Sequence, residues 1–175
     1  KEKLRQQFII YDCDGKPILG GLQNKFVIGS IFRNQGRKMA DRMLKTIKVL
    51  QDRGQDNFVF LAHCDPYDNA SVSNLCYLAT RLGIKHRVYF TGMRYYKGFP
   101  MAQMNFVYNV MDVFFLSTSG EGFGIPILEA ASAGIPSVIT DYTCYSDDTR
   151  VYTETGLKYF NKVKENELVW SIDLE

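Results

Sequence analysis

Histidine, tryptophan and proline are scarce in this chain, at two, one and five residues, and its four cysteines include no closely spaced pair. Each shortage narrows the field. With only His63 and His86 to help Cys13, Cys64, Cys76 and Cys144, and no C-x-x-C spacing, the residues for a structural zinc site are missing. The same cysteines read as reduced thiols of a cytoplasmic protein rather than as a disulfide framework. No apolar run approaches the roughly 20 residues that cross a bilayer, so there is no transmembrane segment, and nothing near Lys1 reads as a signal peptide. A large excess of one charge is also lacking. Lys and Arg number 21 against 19 Asp and Glu, leaving +2, too little to imply a nucleic-acid partner. The Asp12-x-Asp14 pattern is not an EF-hand, because Gly15 comes too early and Gln23 stands where the last ligand belongs. It reads as a turn.

What is present is a bulky core. The chain is 46% hydrophobic with 12 Phe and 11 Tyr among 175 residues, enough for one well-buried domain. Beginning at Lys1 rather than Met, it reads as a piece of a longer protein. Five short, nearly continuous apolar runs look like strands buried on both faces: Phe26 to Ile28, Phe58 to Leu61, Val88 to Phe90, Val113 to Leu116 and Ile135 to Ile139. Between them lie stretches with apolar residues at helical spacing. Met39, Ala40, Met43, Leu44, Ile47 and Leu50 mark one, with Arg42, Lys45, Lys48 and Asp52 on its wet face. Val72 to Leu82, closed by Gly83, marks a second, with Asn69 or Ser71 as its N-cap. Met104 to Met111 suggests a third, and a fourth begins at Gly124. This alternation predicts an α/β fold, a Rossmann-like doubly wound parallel sheet with helices on both faces. Residues 1–24 read as a linker or small hairpin and residues 25–175 as the domain; beyond Thr149 the weak periodicity suggests loop and short helix.

In such a sheet ligands bind beyond the carboxyl ends of the strands, so the loops after the strands carry the function. The first, Gly29-Ser30-Ile31-Phe32-Arg33-Asn34-Gln35-Gly36-Arg37-Lys38, lacks the glycine spacing of a dinucleotide fingerprint and is not a P-loop. It offers instead Arg33 and Lys38, a planar fork and a mobile ammonium suited to a diphosphate, or else an ordinary solvated basic turn. The loop after Val113 to Leu116 contains Glu121-Gly122-Phe123-Gly124-Ile125-Pro126-Ile127-Leu128-Glu129. A glycine-rich turn opening a helix presents free amides and the positive end of the helix dipole to an anion. Flanking carboxylates accept hydrogen bonds from hydroxyls, so cradle and acids together suit a nucleotide-sugar. Glu129 has a plainer reading as a favourable charge near a helix start. His63 reads as a histidine satisfied locally or as a cleft residue.

From Phe26-Val27-Ile28-Gly29 through Arg33 and Lys38, then Val88 to Gly92, then Asp112 to Asp141, the sequence resembles the nucleotide-sugar-binding, C-terminal half of GT-B-fold glycosyltransferases. It is most similar to the retaining group 1 family, over about two-thirds of its length. The most specific element is the pair Glu121 and Glu129, separated by seven residues. The resemblance implies one half of a GT-B fold, with an acceptor-binding N-terminal domain outside this chain. It implies that Arg33 and Lys38 hold the donor diphosphate and stabilise the leaving group, and that Glu129 binds the ribose. Glu121 and the amides of Gly122, Phe123, Gly124 and Ile125 would contact the sugar and distal phosphate. Gly92, Met93 and Tyr95 would receive the base. It further implies hexosyl transfer with retention from a UDP- or GDP-linked donor, without metal or other cofactor. The acceptor, a glycan, lipid or protein, would be held by the other domain, so that this domain alone is inactive. The full-length protein would be cytoplasmic or peripheral to a membrane. Ser117-Thr118 replaces the family's usual Pro-Ser, and Tyr142 to Asp148 departs from its usual sugar-contacting segment. Two alternatives stay open: a sugar-nucleotide epimerase or hydrolase on the same fold, and a non-catalytic nucleotide-binding module.

Overall fold

The computed structural model describes residues 1–68, 73–92, 99–121, 123–140, 150–159, 162 and 164. Helix α1 (Glu2–Gln7) leads into a hairpin of β1 (Ile9–Tyr11) and β2 (Pro17–Leu19). Then follow β3 (Phe26–Ile31), α2 (Ala40–Asp52), β4 (Phe58–His63), α3 (Leu75–Arg81), β5 (Val88–Phe90), α4 (Met101–Asn109), β6 (Val113–Leu116), α5 (Ile125–Ser132) and β7 (Ser137–Ile139). The sheet order is β2-β1-β5-β4-β3-β6-β7. Its five central and far strands run parallel, while the hairpin adds an antiparallel edge through Tyr11 opposite Phe90. The predicted α/β architecture is therefore found as a mixed, mostly parallel sheet flanked by helices.

The inner strands β3 and β4 form where the apolar runs were read because both of their faces are covered, whereas β7, expected to be buried on both faces, is an exposed edge strand with Val138 56% and Ile139 37% exposed. From β3 and β4, Ile28, Phe60 and Ala62 join the larger core, into which α2 and α3 send Met43, Leu44, Ile47, Leu75 and Ala79. Val27, Val59 and Leu61, on the opposite face by strand alternation, pack with Ile10, Leu22 and Val110, against which Leu4 and Phe8 close. In mid-strand, Gly29 leaves room for the buried Met111, whose Sδ would lie 2.2 Å from any added Cβ. The wet face of α2 carries the i, i+4 pairs Lys45 to Asp41 (2.9 Å) and Lys48 to Asp52.

Two local readings change. Helix α3 is capped by Asn74, whose side chain accepts the Tyr77 N–H at 3.0 Å; Asn69 and Ser71 lie outside the described residues. Residues 150–159, expected as loop and short helix, instead form the antiparallel hairpin β8 (Arg150–Thr153) and β9 (Gly156–Tyr159). The strand signal was brief. Glu154 and Thr155 make a two-residue turn, Thr153 Oγ1 donates to the Gly156 carbonyl at 2.9 Å, and Gly156 supplies a φ of 114° that other residues resist.

Candidate functional site

The parallel strands run β5-β4-β3-β6-β7, so the chain fills the sheet outward from β3 in one direction and then resumes at β6 in the other. The boundary between β3 and β6 is the topological switch point, beyond which ligands bind in open α/β sheets. The two loops meeting there are the one after β3, reaching Met39, and the one after β6, reaching Gly124.

They are laced together. The Arg37 carbonyl accepts the Ser119 N–H at 2.7 Å, the Thr118 hydroxyl at 3.0 Å and the Ser119 hydroxyl at 3.1 Å. Ser117 Oγ donates to the Met39 carbonyl at 3.2 Å, and Arg37 Nη1 donates to the Gly120 carbonyl at 2.6 Å. From the end of β7, the Thr140 hydroxyl donates to the Thr118 carbonyl at 2.8 Å. The run of hydroxyls directly after an apolar strand was the signal for this lacing, and the site residues read from sequence did not include it.

Within this frame Lys38 Nζ pairs with Glu121 Oε1, both side chains being only 6% exposed. Arg37 lies 3.5 Å from the other Glu121 oxygen. Burial pushes the Glu121 carboxyl up, but the Lys38 ammonium, the Thr118 hydroxyl and Arg37 together outweigh it and hold the group below the usual carboxylate range. An ammonium has three donors. Among the described residues Lys38 spends them on Glu121 alone, so the buried cation keeps unused donor capacity.

Arg33 is placed differently. Its side chain is 62% exposed and forks onto Asp68, at 2.7 Å from Nε and 3.4 Å from Nη2, with Asp68 in the loop after β4. The buried Asn34 leans the same way, donating to the Ser73 carbonyl at 3.1 Å. The loop after β3 thus sends Lys38 towards β6 and Arg33 towards β4. Lys38 and Glu121 are brought into contact, and Arg33 stands on the other flank.

Gly124 starts α5 in the left-handed region at φ 70°, with no side chain capping the helix and Pro126 in its first turn. Phe123 and Ile125 on either side are 64% and 58% exposed. Four residues into α5, Glu129 Oε2 accepts a hydrogen bond from the Tyr108 hydroxyl of α4 at 2.5 Å. Gly92 follows β5 and the buried Thr91, whose hydroxyl is 2.7 Å from His63 Nδ1. Phe99 meets the His63 ring edge-on at 4.8 Å, and burial pushes the imidazole down to about 4, so it is neutral near pH 7. Met93, Tyr95 and Gly122 lie outside the described residues, as do Tyr142 to Asp148.

Among the described residues no group of three or more His, Cys, Asp or Glu could hold a metal ion. No helix among them is long and apolar enough to cross a membrane. The β3–β6 boundary thus brings together a buried ammonium, its paired carboxylate and the start of α5.

The family model described as glycosyl transferases group 1 matches residues 16–174. A search of curated protein sequences finds no match. Among solved structures, the chain is similar to Anabaena HepE, determined in complex with UDP and glucose, at 23% identity and a TM-score of 0.61, over 82% of this chain and 34% of that one. It is similar to WaaG, a glycosyltransferase involved in lipopolysaccharide biosynthesis, at 22% identity and 0.56, over 70% and 30%. The apo structure of OtsA matches at 18% and 0.52, over 66% and 28%. The similarity at these identities is one of fold, and the chain spans about a third of the length of each structure.

Proposed function

The chain belongs to the group 1 glycosyl transferase family, with a domain of the GT-B fold, and we propose that it is the half that receives the sugar donor. In this reading a nucleoside-diphosphate sugar, UDP- or GDP-linked, lies across the β3–β6 crevice. Its sugar passes, with retention of configuration and without a metal ion, to an acceptor held by a further domain. The observation that carries the proposal is the Lys38–Glu121 pair. A buried ammonium with donors to spare sits at the switch point of the sheet, where the fold leaves room for a ligand.

The roles follow from charge and reach. Lys38, with the amides of Gly122 to Ile125 at the start of α5, takes the diphosphate, and Arg33 closes on it from the β4 flank by exchanging Asp68 for phosphate. As the sugar–phosphate bond breaks, negative charge grows on the leaving diphosphate, and a pre-placed cation stabilises it without reorganising. Loss of such a group costs about 3–4 kcal/mol at a transition state. Glu121 holds Lys38 in place and presents its remaining lone pairs to the sugar hydroxyls. Glu129 accepts from the ribose, and the loop of Gly92, Met93 and Tyr95 receives the base.

Calorimetry of the 175-residue chain with UDP, GDP and ADP tests the proposal. Binding to one of them, weakened at least about tenfold by Lys38→Ala and by Glu129→Ala, is the expected result, the scale of one lost charged hydrogen bond. No binding to any nucleotide, or binding indifferent to both substitutions, rules the reading out.

A further inference from the structure

The phenol of Tyr108 has no part in the roles above, yet its surroundings are unusually specific. Tyr108 is 3% exposed, between α4 and α5, with its ring tilted against Phe114 at 6.3 Å between centroids. Its hydroxyl is 2.5 Å from Glu129 Oε2 and 3.3 Å from the Pro126 carbonyl. The other oxygen of Glu129 has no partner among the described residues. Glu129 is the fifth residue of α5, beyond the first turn where the helix dipole rewards an acid. The carboxylate is therefore poorly explained as a helix charge. It is held at one oxygen by a buried, immobile donor and left open at the other.

We propose that Tyr108 is a positioning residue, fixing Glu129 so that its open oxygen meets the ribose hydroxyls, and that it thereby sets a preference for ribonucleotides over 2′-deoxyribonucleotides. The inference rests on the donor-site reading. A glutamate side chain on its own samples several rotamers, and ordering it on binding costs free energy that a preformed site has already spent. With Oε2 tied to a rigid ring, the carboxylate waits in one orientation. Its open oxygen has lone pairs for two neighbouring hydroxyls. A 2′-deoxy sugar leaves that acceptor half used, and a charged hydrogen bond lost in this way is worth roughly a tenfold to hundredfold change in affinity. The phenol suits the task because it stays a donor. Burial, and then the adjacent Glu129 carboxylate, push its ionisation well above the usual tyrosine range.

Calorimetry with UDP, GDP and ADP and their 2′-deoxy counterparts separates positioning from mere packing. The wild-type chain is expected to favour the ribonucleotide it binds by about tenfold or more, and Tyr108→Phe to bring the two forms within about threefold, by the same arithmetic. In a Glu129→Ala background, where no carboxylate is left unpaired, adding Tyr108→Phe is expected to change neither affinity. A Tyr108→Phe protein that weakens both sugars equally, or keeps the full ratio, overturns the positioning role and leaves the donor site standing. So does a further loss in the Glu129→Ala background, which can be read even if the single variant folds poorly. Absence of any nucleotide binding by the wild-type chain overturns the donor-site reading and this inference with it.

Discussion

The adjacent strands β3 and β6 carry a buried cation against an acid at each end, and the two ends are finished differently. At the amino end sits Arg5 of α1, 3% exposed. Its Nε and Nη2 donate to the Val110 carbonyl at 3.0 and 2.7 Å, Nη1 to the Lys25 carbonyl at 3.0 Å and to Glu2 at 2.9 Å, and Nη2 also to Asp112 at 2.6 Å. These contacts use all the N–H groups of a guanidinium. Asp112 in turn accepts the Val27 N–H at 2.8 Å. The Arg5 guanidinium has no donor left to offer a ligand. At the carboxyl end Lys38 meets Glu121 and keeps donors in reserve. Burying a charge is costly in both places, and full hydrogen bonding offsets that cost only at the first. Saturation suits a structural clamp; unspent capacity at a switch point suits the proposed donor site.

Replacing each cation by an apolar side chain of similar length sharpens the contrast. Arg5→Met removes all five guanidinium hydrogen bonds, leaving Asp112 to Lys1 at 3.3 Å and the Val27 N–H, and loss of one partner from a buried pair costs about 3–5 kcal/mol. Urea denaturation should show that loss, while nucleotide affinity of the folded protein stays as in wild type. Lys38→Met should do the reverse. Lys38 gives up one hydrogen bond where Arg5 gives up five, and Arg37 stays 3.5 Å from Glu121, so the stability loss is smaller, about 1–3 kcal/mol, while nucleotide binding falls tenfold or more. If Lys38→Met proves the more destabilising and leaves binding intact, the carboxyl end is a second clamp.

Much of this was legible from residues alone, for physical reasons. Strands buried on both faces need unbroken apolar runs, so Phe58 to Leu61 and Val113 to Leu116 stood out. Helices covering them need one apolar stripe, so Met43, Leu44 and Ile47 did too. Gly124 was legible as the opening of α5 because a glycine tolerates the positive φ found there, and Glu121 and Glu129 stood out as the acids on either side of it. The clamp was not legible. Arg5 lies in a polar stretch that looks like any solvated helix, and its partner Asp112 is 107 positions away. The partners of Tyr108 and Arg33 were hidden for the same reason, since periodicity records which way a residue faces and not what waits there. The short hairpin after Thr149 failed on length, four residues a strand being too few for alternation to show.

Acid titration gives the finest comparison, because both acids are shifted the same way for related causes. Burial works to raise Asp112, but the Val27 N–H, Arg5 and Lys1 prevail and hold it below its ordinary value, as Lys38 does for Glu121. A carboxyl lowered in the folded state contributes stability that is present above its unfolded value, about 4, and is lost as pH falls through the folded value. The urea midpoint of the wild-type chain should therefore decline on acidification below about pH 4. Asp112→Asn and Glu121→Gln should each flatten that decline, since an amide has no proton to gain. His63 adds its own loss from pH 6.5 down towards about 4, because the unfolded imidazole takes a proton that the buried one resists. That contribution is common to all three proteins and cancels in their difference. With nucleotide present, the two ends should part company. Diphosphate gives Lys38 a second anion and loosens its dependence on Glu121, so bound ligand should shrink the Glu121→Gln difference and leave the Asp112→Asn difference unchanged. Equal responses of the two variants to nucleotide would mean that the ligand does not reach Lys38.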